Sequence, residues 1–186
     1  GELAYEIAVP TRYGDAMIRA LIEAGEEFGG CAYGTEALGV MRIEKGHATG
    51  NELNGTTTAL NLGMGHMVST QKDSIGSVLS RRDGLTGDDA LKLVGFKPCR
   101  TSDPVPAGSH LMTKGSPIDA KHDQGYVTST CYSPTLGHHI AIGFLKSGNQ
   151  RLGEIVRLVS PLTNIEHDVE VVSSHFVDPD GDKLRA

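Results

Sequence analysis

Residues 125–146 read GYVTSTCYSPTLGHHIAIGFLK and contain two β-type runs separated by a turn. The runs are Gly125–Tyr132 and His139–Lys146, in which β-branched, aromatic and other apolar residues dominate. Pro134 and the small and polar residues around it interrupt both patterns. The stretch therefore predicts two short strands joined by a turn.

Three further runs of the same kind flank this pair. They are Leu91–Phe96, Glu154–Val159 and Val169–Val177. The residues that separate the runs favour turns and include Pro104, Pro106, Gly108, Gly148 and Gly153. Five short strands in one region predict a small antiparallel barrel or sandwich.

The first half of the chain has a different pattern. Leu3–Pro10 alternates in the manner of a strand, and it begins so abruptly that we expect the other strands of its sheet earlier in a longer protein. Thr11 is placed to cap a helix that runs to about Phe28, where Gly29 and Gly30 stop it. We expect this helix to pack through its apolar residues.

A second helix is predicted from Gly34 to about Gly46, with Ala37, Leu38 and Met41 on its apolar side. Its charged residues could all be solvated; they are Glu36, Arg42, Glu44 and Lys45.

The Gly-, Asn- and Thr-rich stretch Gly50–Gly65 predicts a long irregular loop, and Asp73–Leu79 predicts a short helix. A polar linker follows. We predict an α+β chain with one domain over residues 1–82, a linker over 83–90 and a barrel domain over 91–186.

Composition excludes several classes of protein. The chain has 186 residues, a formal net charge of −6 and 22% charged residues, which is typical of a globular protein. Lys and Arg are scattered, so a nucleic-acid partner is not expected. No apolar stretch approaches the roughly 20 residues that cross a bilayer, and we expect a cytoplasmic protein with no membrane partner.

No metal site or catalytic residue is predicted. Cys31, Cys99 and Cys131 are widely spaced and odd in number, and the eight histidines lack ligand spacing. The glycines Gly63 and Gly65 do not form a dinucleotide-binding pattern. We therefore expect no nucleotide, metal or thiol chemistry in this chain.

Several phrases, taken in order, resemble the glycine-cleavage T-protein family of aminomethyltransferases. Gly1-Glu2-Leu3-Ala4-Tyr5-Glu6-Ile7 is similar to a Glu-containing strand of that family, and Met41–Gly46 followed by Gly50-Asn51 is similar to its Leu-Arg-Leu-Glu-x-Gly segment. The barrel runs match its carboxy-terminal domain. Within the family, Arg42–His47, Asn51–Thr58 and Phe176–Gly181 resemble the alpha subunits of heterotetrameric sarcosine oxidases.

The resemblance implies the last part of a folate-binding domain followed by a β-barrel, with tetrahydrofolate as the cofactor. It implies that Glu6, Arg42 and Tyr5 bind the folate. It also implies FAD, FMN and NAD elsewhere in a whole enzyme, together with other subunits as partners. The part of the family that carries the catalytic aspartate has no counterpart here, so we expect the chain alone to be inactive.

Each of these residues has another interpretation. From the residues alone, Glu6 on an edge strand faces solvent, whereas a carboxylate could also accept the paired N–H groups of a reduced pterin. Arg42 needs water or an acceptor such as Glu44, Glu36 or a ligand carboxylate, and a salt bridge that braces the fold is equally consistent. Tyr5 and Tyr33 could stack on a pterin or lie in the core.

Three functions stay open from the sequence. The resemblance favours a folate-binding module of sarcosine oxidase, which converts sarcosine to glycine with peroxide formation and passes the one-carbon unit to tetrahydrofolate. A T-protein-like or dimethylglycine-dehydrogenase-like aminomethyltransferase fragment is the first alternative. A non-catalytic domain that docks subunits is the second.

Overall fold

The computed structural model describes residues 4–183, and these fall into two compact units. The smaller unit holds the described residues up to Leu38 together with those from Asp180 onward, and the larger holds Gly39–Pro179. Gly1, Glu2 and Leu3, on which part of the family resemblance rests, lie outside the described residues. No helix within residues 4–183 has the length and apolar character needed to cross a membrane.

The strand predicted over Leu3–Pro10 is wrong for its described part. Residues 4–10 form neither helix nor strand, and all of them are exposed. A strand requires a hydrogen-bonding neighbour, and every strand within residues 4–183 belongs to the barrel, which begins at Leu91. An alternating sequence pattern alone therefore does not form a strand here.

The first helix is confirmed, although its start differs from the prediction. A 3₁₀ turn, Thr11–Tyr13, leads into α1, Gly14–Glu26, whose N-cap is Tyr13 rather than Thr11. Gly29 has a φ of 68°, and the Gly30 amide donates to the Gly25 carbonyl at 2.9 Å, so the glycines end the helix as predicted. None of the described residues of α1 is buried.

The second helix, α2, spans Thr35–Glu44. The prediction of which side of this helix is apolar and which is solvated is wrong. Leu38 and Met41 are exposed, whereas Ile43 and Glu44 are buried. The apolar pattern did not reveal this because the last turn of α2 packs its polar residues against serines rather than against other apolar residues. Gly46 follows with a φ of 76°, and a Cβ at that position would lie 2.5 Å from the Ser174 carbonyl oxygen.

The long loop Gly50–Gly65 is confirmed as irregular, apart from a 3₁₀ turn, Gly65–Met67, that begins at its end. The helix predicted over Asp73–Leu79 is wrong. That stretch forms turns, followed by a 3₁₀ turn, Leu79–Arg81, and a four-residue helix, α3, Asp83–Thr86. The apolar side chains Ile75 and Val78 are exposed, so no packing face offsets the cost of nucleating a helix there.

Six antiparallel strands close into a barrel, which confirms the predicted architecture. Around the barrel their order is β1-β4-β3-β2-β5-β6. The strands are β1 Leu91–Pro98, β2 His110–Met112, β3 Asp123–Ser133, β4 His138–Lys146, β5 Ile155–Ser160 and β6 Ile165–Val172. The prediction missed β2, which has only three residues and follows a Pro- and Gly-rich connection.

The last strand begins and ends earlier than the predicted Val169–Val177. Its pairing with β5 begins at Ile165, opposite Ser160. Beyond Val172 the chain leaves the sheet, and the amides of Phe176 and Val177 each donate to the Glu44 carbonyl at 2.9 Å. The last turn of α2 therefore replaces a neighbouring strand as hydrogen-bond partner for this segment.

Two apolar clusters organise the larger unit. The inner cluster takes residues from all six strands and so fills the barrel; it includes Val94, Phe96, Leu111, Val127, Ala141, Leu158 and Val171. The outer cluster joins Ile43 of α2 to Leu93 of β1 and to Ile140, Ile142 and Phe144 of β4. Strand β4 is thus buried on both faces, and α2 covers its outer face.

Candidate functional site around Arg42

The last turn of α2 directs the guanidinium of Arg42 toward the barrel. Nη1 donates to Glu52 Oε2 at 3.1 Å and, at 3.5 Å, to the His47 carbonyl, while Nη2 donates to Ser129 Oγ at 2.7 Å. About 16% of the Arg42 side chain is exposed, against none of the Glu52 side chain. The two charges form a largely buried ion pair between a helix and a loop, with a serine of β3 beside it.

Glu52 lies in the irregular loop, but it is the most enclosed charged residue of the larger unit that we can describe. Its Oε2 also accepts from the Thr49 amide at 2.8 Å, and its Oε1 accepts from the Ser129 hydroxyl at 2.6 Å. Burial alone would raise the pKa of Glu52, but these hydrogen bonds and the positive charge of Arg42 outweigh it and lower the pKa. The carboxylate is therefore ionised at neutral pH.

A β-bulge in β3 places Ser129 in this cluster. In the pairing of β3 with β4, Val127 lies opposite Gly143 and Ser129 lies opposite Ile142, so the register shifts at Thr128. Val127 belongs to the inner cluster and Ile142 to the outer one. Strict alternation would return residue 129 to the barrel interior, whereas the extra residue turns Ser129 outward toward Glu52.

A second buried carboxylate, Glu44 at the end of α2, binds a serine further along β3. Glu44 Oε1 accepts from the Ser133 hydroxyl at 2.5 Å, and Ser133 Oγ accepts from the Leu136 amide at 3.1 Å. Next to it, Lys45 pairs with Asp178 at 2.9 Å. These contacts fasten α2 and the segment after β6 to the barrel without using Arg42.

The cluster corrects the predicted partners of Arg42. Neither Glu36 nor Glu44 accepts from it in the structure: Glu44 binds Ser133, and the acceptor is Glu52. The expectation that the charged residues of α2 are solvated is also wrong for Glu44, which is buried, and for Arg42, which is largely buried. Sequence reasoning missed Glu52 and Ser129, although an isolated Glu in a polar loop soon after a helical Arg was a usable signal for the first.

Tyr5 and Glu6, the other predicted folate residues, lie in the smaller unit. Tyr5 is 78% exposed, and Glu6 is exposed as well. Neither side chain hydrogen-bonds to any residue within 4–183. The Glu6 carboxylate therefore has both oxygen atoms available. Tyr33 is 63% exposed, so the interpretation as a core residue is wrong for Tyr5 and for Tyr33.

The cysteines are free, and Cys131 is the most enclosed of them. Burial, together with the negative charge of Glu44, raises the pKa of Cys131 to about 11, so its thiol is protonated and a poor nucleophile at neutral pH. Within residues 4–183, no three His, Cys, Asp or Glu side chains come together in a way that could hold a metal ion.

Two family models match the chain. One is the GCVT N-terminal domain, over residues 1–72, and the other is the glycine cleavage T-protein C-terminal barrel domain, over residues 92–178. The chain belongs to the glycine-cleavage T-protein family. The resemblance that the residues indicated is thereby confirmed, and the second match coincides with the six-stranded barrel.

The relatives of this chain include sarcosine oxidase alpha subunits and aminomethyltransferases. The chain is 43% identical over 185 residues to the sarcosine oxidase subunit alpha of Rhizobium meliloti (strain 1021), covering 99% of this chain and 19% of that one. It is 33% identical over 183 residues to an aminomethyltransferase of Halothermothrix orenii, covering 95% of this chain and 47% of that one. The chain thus spans about a fifth of the first relative.

A solved structure agrees on the fold. The crystal structure of glycine cleavage system aminomethyltransferase T from Bartonella henselae matches with a TM-score of 0.67 at 22% identity, covering 88% of this chain and 45% of that chain. At this identity the match supports the T-protein fold alone.

Proposed function

We propose that this chain is a folate-binding module of a sarcosine-oxidising enzyme. In the whole enzyme, sarcosine is converted to glycine with peroxide formation, and the one-carbon unit passes to tetrahydrofolate. The name of the relative at 43% identity and the T-protein family models support this proposal. By itself the chain has no catalytic residue that we can assign and is expected to be inactive.

The observation that carries the proposal is the set of hydrogen-bond donors on Arg42. The family resemblance assigns this arginine to the folate site, and in the structure it keeps N–H donors that no residue within 4–183 accepts. A guanidinium presents five N–H donors and no acceptor, so it suits the oxygen atoms of a folate. The donor set of Arg42 therefore fits the implied ligand.

Glu6 and Tyr5 are proposed on their own chemistry. A reduced pterin carries a ring N–H beside an amino group, and one carboxylate can accept from both. The exposed and unpaired Glu6 carboxylate suits that role, and Tyr5 offers an aromatic face for stacking. Neither role requires a proton transfer.

Tetrahydrofolate, when bound, supplies nitrogen nucleophiles that accept a one-carbon unit. The contribution of this chain is to bind and orient it, which replaces a bimolecular encounter with a positioned one. We propose that FAD, FMN and NAD bind elsewhere in the whole enzyme and that its other subunits are partners. The division into residues 1–82, 83–90 and 91–186 and the cytoplasmic location stay predictions.

A calorimetric titration with 5-formyltetrahydrofolate, a stable reduced folate, tests the proposal. The natural full-length protein, its Glu6→Gln variant and its Glu23→Gln variant are compared, because Glu23 is another exposed glutamate of the smaller unit. We expect Glu6→Gln to weaken binding about tenfold through the lost charge-assisted pair, and Glu23→Gln to change nothing. Absence of binding by the unchanged protein would overturn the proposal.

The donor amine distinguishes this proposal from the first alternative. A T-protein-like or dimethylglycine-dehydrogenase-like transferase shares the fold, and relatives named aminomethyltransferase match the chain. Peroxide formation by the natural full-length protein with sarcosine would favour the oxidase. Folate-dependent transfer without peroxide would favour a transferase.

One observation favours a docking role as a second candidate function. The apolar residues Ile18, Leu21 and Ile22 on α1 are 46%, 44% and 48% exposed, and none of the described α1 residues is buried. A surface of this kind is typical of a protein contact. Size-exclusion chromatography of the chain tests it: self-association that Leu21→Glu abolishes would support docking, and a monomer with no change would count against it.

A further inference from the structure

A cavity of about 750 Å³ lies within the larger unit, beside β1. Its volume falls in the range of small-molecule sites, about 300–1,000 Å³. Its described lining residues include neither Arg42 nor Glu6 nor Tyr5, so the residues proposed for folate leave this cavity unassigned. Besides β1, the segments that contribute lining residues are 46–48, 62–67, 149–152 and 173–175.

One part of the cavity wall is apolar. Leu93 of β1 belongs to the outer apolar cluster, and Leu62 packs against that cluster, so both are held in place from behind. Leu152, Met64 and Met67 complete this part of the wall. Methionine side chains adapt their shape to a ligand, and their sulfur atoms make favourable contacts with aromatic rings. This part of the wall therefore suits an aromatic hydrocarbon body.

The polar part of the wall is rich in imidazoles. His47 and His175 line adjoining parts of the cavity, because a Cβ on Gly46 would lie only 2.5 Å from the Ser174 carbonyl oxygen. His66 supplies a third imidazole from the loop before β1. Among the described residues, no Asp or Glu lines the cavity. The wall thus offers possible cations and no anion.

The charges that act on His175 are positive. Partial burial, followed by the positive charges of Lys45 and His47, lowers the pKa of His175, so its imidazole is neutral at pH 7. Lys45 pairs with Asp178 at 2.9 Å, which holds its ammonium group in place. An anion beside His175 would offset the repulsion from Lys45 and His47 and would favour the protonated ring.

We infer that this cavity binds a small aromatic monocarboxylate, whose carboxylate lies between His47 and His175 and whose ring packs against Met64, Met67 and Leu152. The inference goes beyond the proposed function and does not depend on it. Because the bound anion favours the protonated imidazole, binding takes up a proton at His175.

The test compares 1-naphthaleneacetate with the neutral 1-naphthaleneacetamide, which has the same aromatic body. Calorimetric titrations of the natural full-length protein at pH 6 and pH 8 measure both affinities. We expect the acid to bind about tenfold more tightly than the amide at pH 6, through a charge-assisted contact. At pH 8 the preference should fall to about threefold, because the acid, with a pKa of about 4, stays ionised while the imidazoles lose their protons.

Two variants separate charge from shape. Asn149→Asp adds a carboxylate to the wall with almost no change in volume, so it should remove the preference for the acid and leave the affinity for the amide unchanged. His175→Gln should remove most of the dependence on pH. His122→Gln is the matched control, because His122 is a partly exposed histidine of the larger unit that does not line this cavity. It should behave as the unchanged protein does.

Competition with a reduced folate shows whether the cavity is a separate site. Saturating 5-formyltetrahydrofolate should leave the affinity for 1-naphthaleneacetate unchanged. Displacement of the acid would place it in the folate site, which would overturn the inference and support the proposed function. Equal affinities for the two ligands, no binding of either, or an undiminished preference in Asn149→Asp would each overturn the inference and leave the proposed function standing.

Discussion

The barrel and helix α1 differ in what covers their apolar residues. In the barrel, side chains such as Phe96, Leu111 and Leu158 are fully buried by residues of the other strands. In α1, Ile18, Leu21 and Ile22 stay about half exposed although their spacing is that of a packing helix. A closed barrel supplies its own partners, whereas one amphipathic helix depends on a surface that it does not provide.

The largest expected effect tests the barrel side of this comparison. Phe96→Ala should lower the free energy of unfolding by about 4 kcal/mol, because it removes a fully buried aromatic ring and leaves a cavity. Leu21→Ala on α1 should cost less than about 1 kcal/mol, since its side chain is already 44% exposed. Urea unfolding of both variants measures the difference, and equal losses would contradict the contrast.

The next effect concerns charge within the larger unit. Arg42→Ala should lower the free energy of unfolding by about 3 kcal/mol, because it leaves the fully buried Glu52 without its cation. Arg42→Lys keeps the charge and should lose less than half as much. Chemical denaturation of the two variants checks this. A loss below about 1 kcal/mol for Arg42→Ala would show that the remaining hydrogen bonds to Glu52 suffice.

A smaller effect appears in the pH dependence of stability. The pKa of Glu52 is lowered in the folded protein from its ordinary 4.5, so the stability that its ionised form contributes is present above pH 4.5 and is lost as the pH falls through the folded pKa. Glu52→Gln should therefore be destabilised at neutral pH but show a shallower loss in acid. Urea unfolding between pH 7 and about 3 measures the free energy of unfolding of the unchanged protein, of Glu52→Gln and of the control Glu23→Gln. The same dependence on pH in all three proteins would contradict the prediction.

The smallest effect is expected on the surface of α1. Arg19 pairs with Asp15 at 2.9 Å, but both side chains are 76% exposed, so water and salt screen the pair. Asp15→Asn should change the free energy of unfolding by no more than about 0.5 kcal/mol. Thermal unfolding in low and high salt measures it. A larger loss would mean that α1 is buried against something in solution, which would sharpen the docking alternative.

Much of the barrel could be predicted from residues alone. Four of its strands begin and end within a few residues of the predicted limits, because β-type runs between turn residues carry a local signal. Two strands show the limit of that signal. Strand β2 is too short to have a pattern, and the end of β6 depends on hydrogen bonds from Phe176 and Val177 to the Glu44 carbonyl, far away in the sequence.

The candidate site also has one part that the sequence could predict and one part that it could not. Arg42 could be identified from its place in a family phrase, and its need for an acceptor follows from its charge. Its partners could not be identified. Glu52 lies in a loop without periodicity, and Ser129 faces Glu52 only because of a bulge that no alternation pattern reveals.

The sequence by itself determined the family, the strand-rich second half and the need of Arg42 for an acceptor, since each depends on the order and chemistry of neighbouring residues. Only the tertiary structure decided that residues 4–10 form no strand, that Glu44 and Glu52 are buried, and that Arg42 pairs with Glu52. Those outcomes depend on contacts between residues distant in the chain. Burial and pairing are properties of the folded arrangement, so a local pattern cannot fix them.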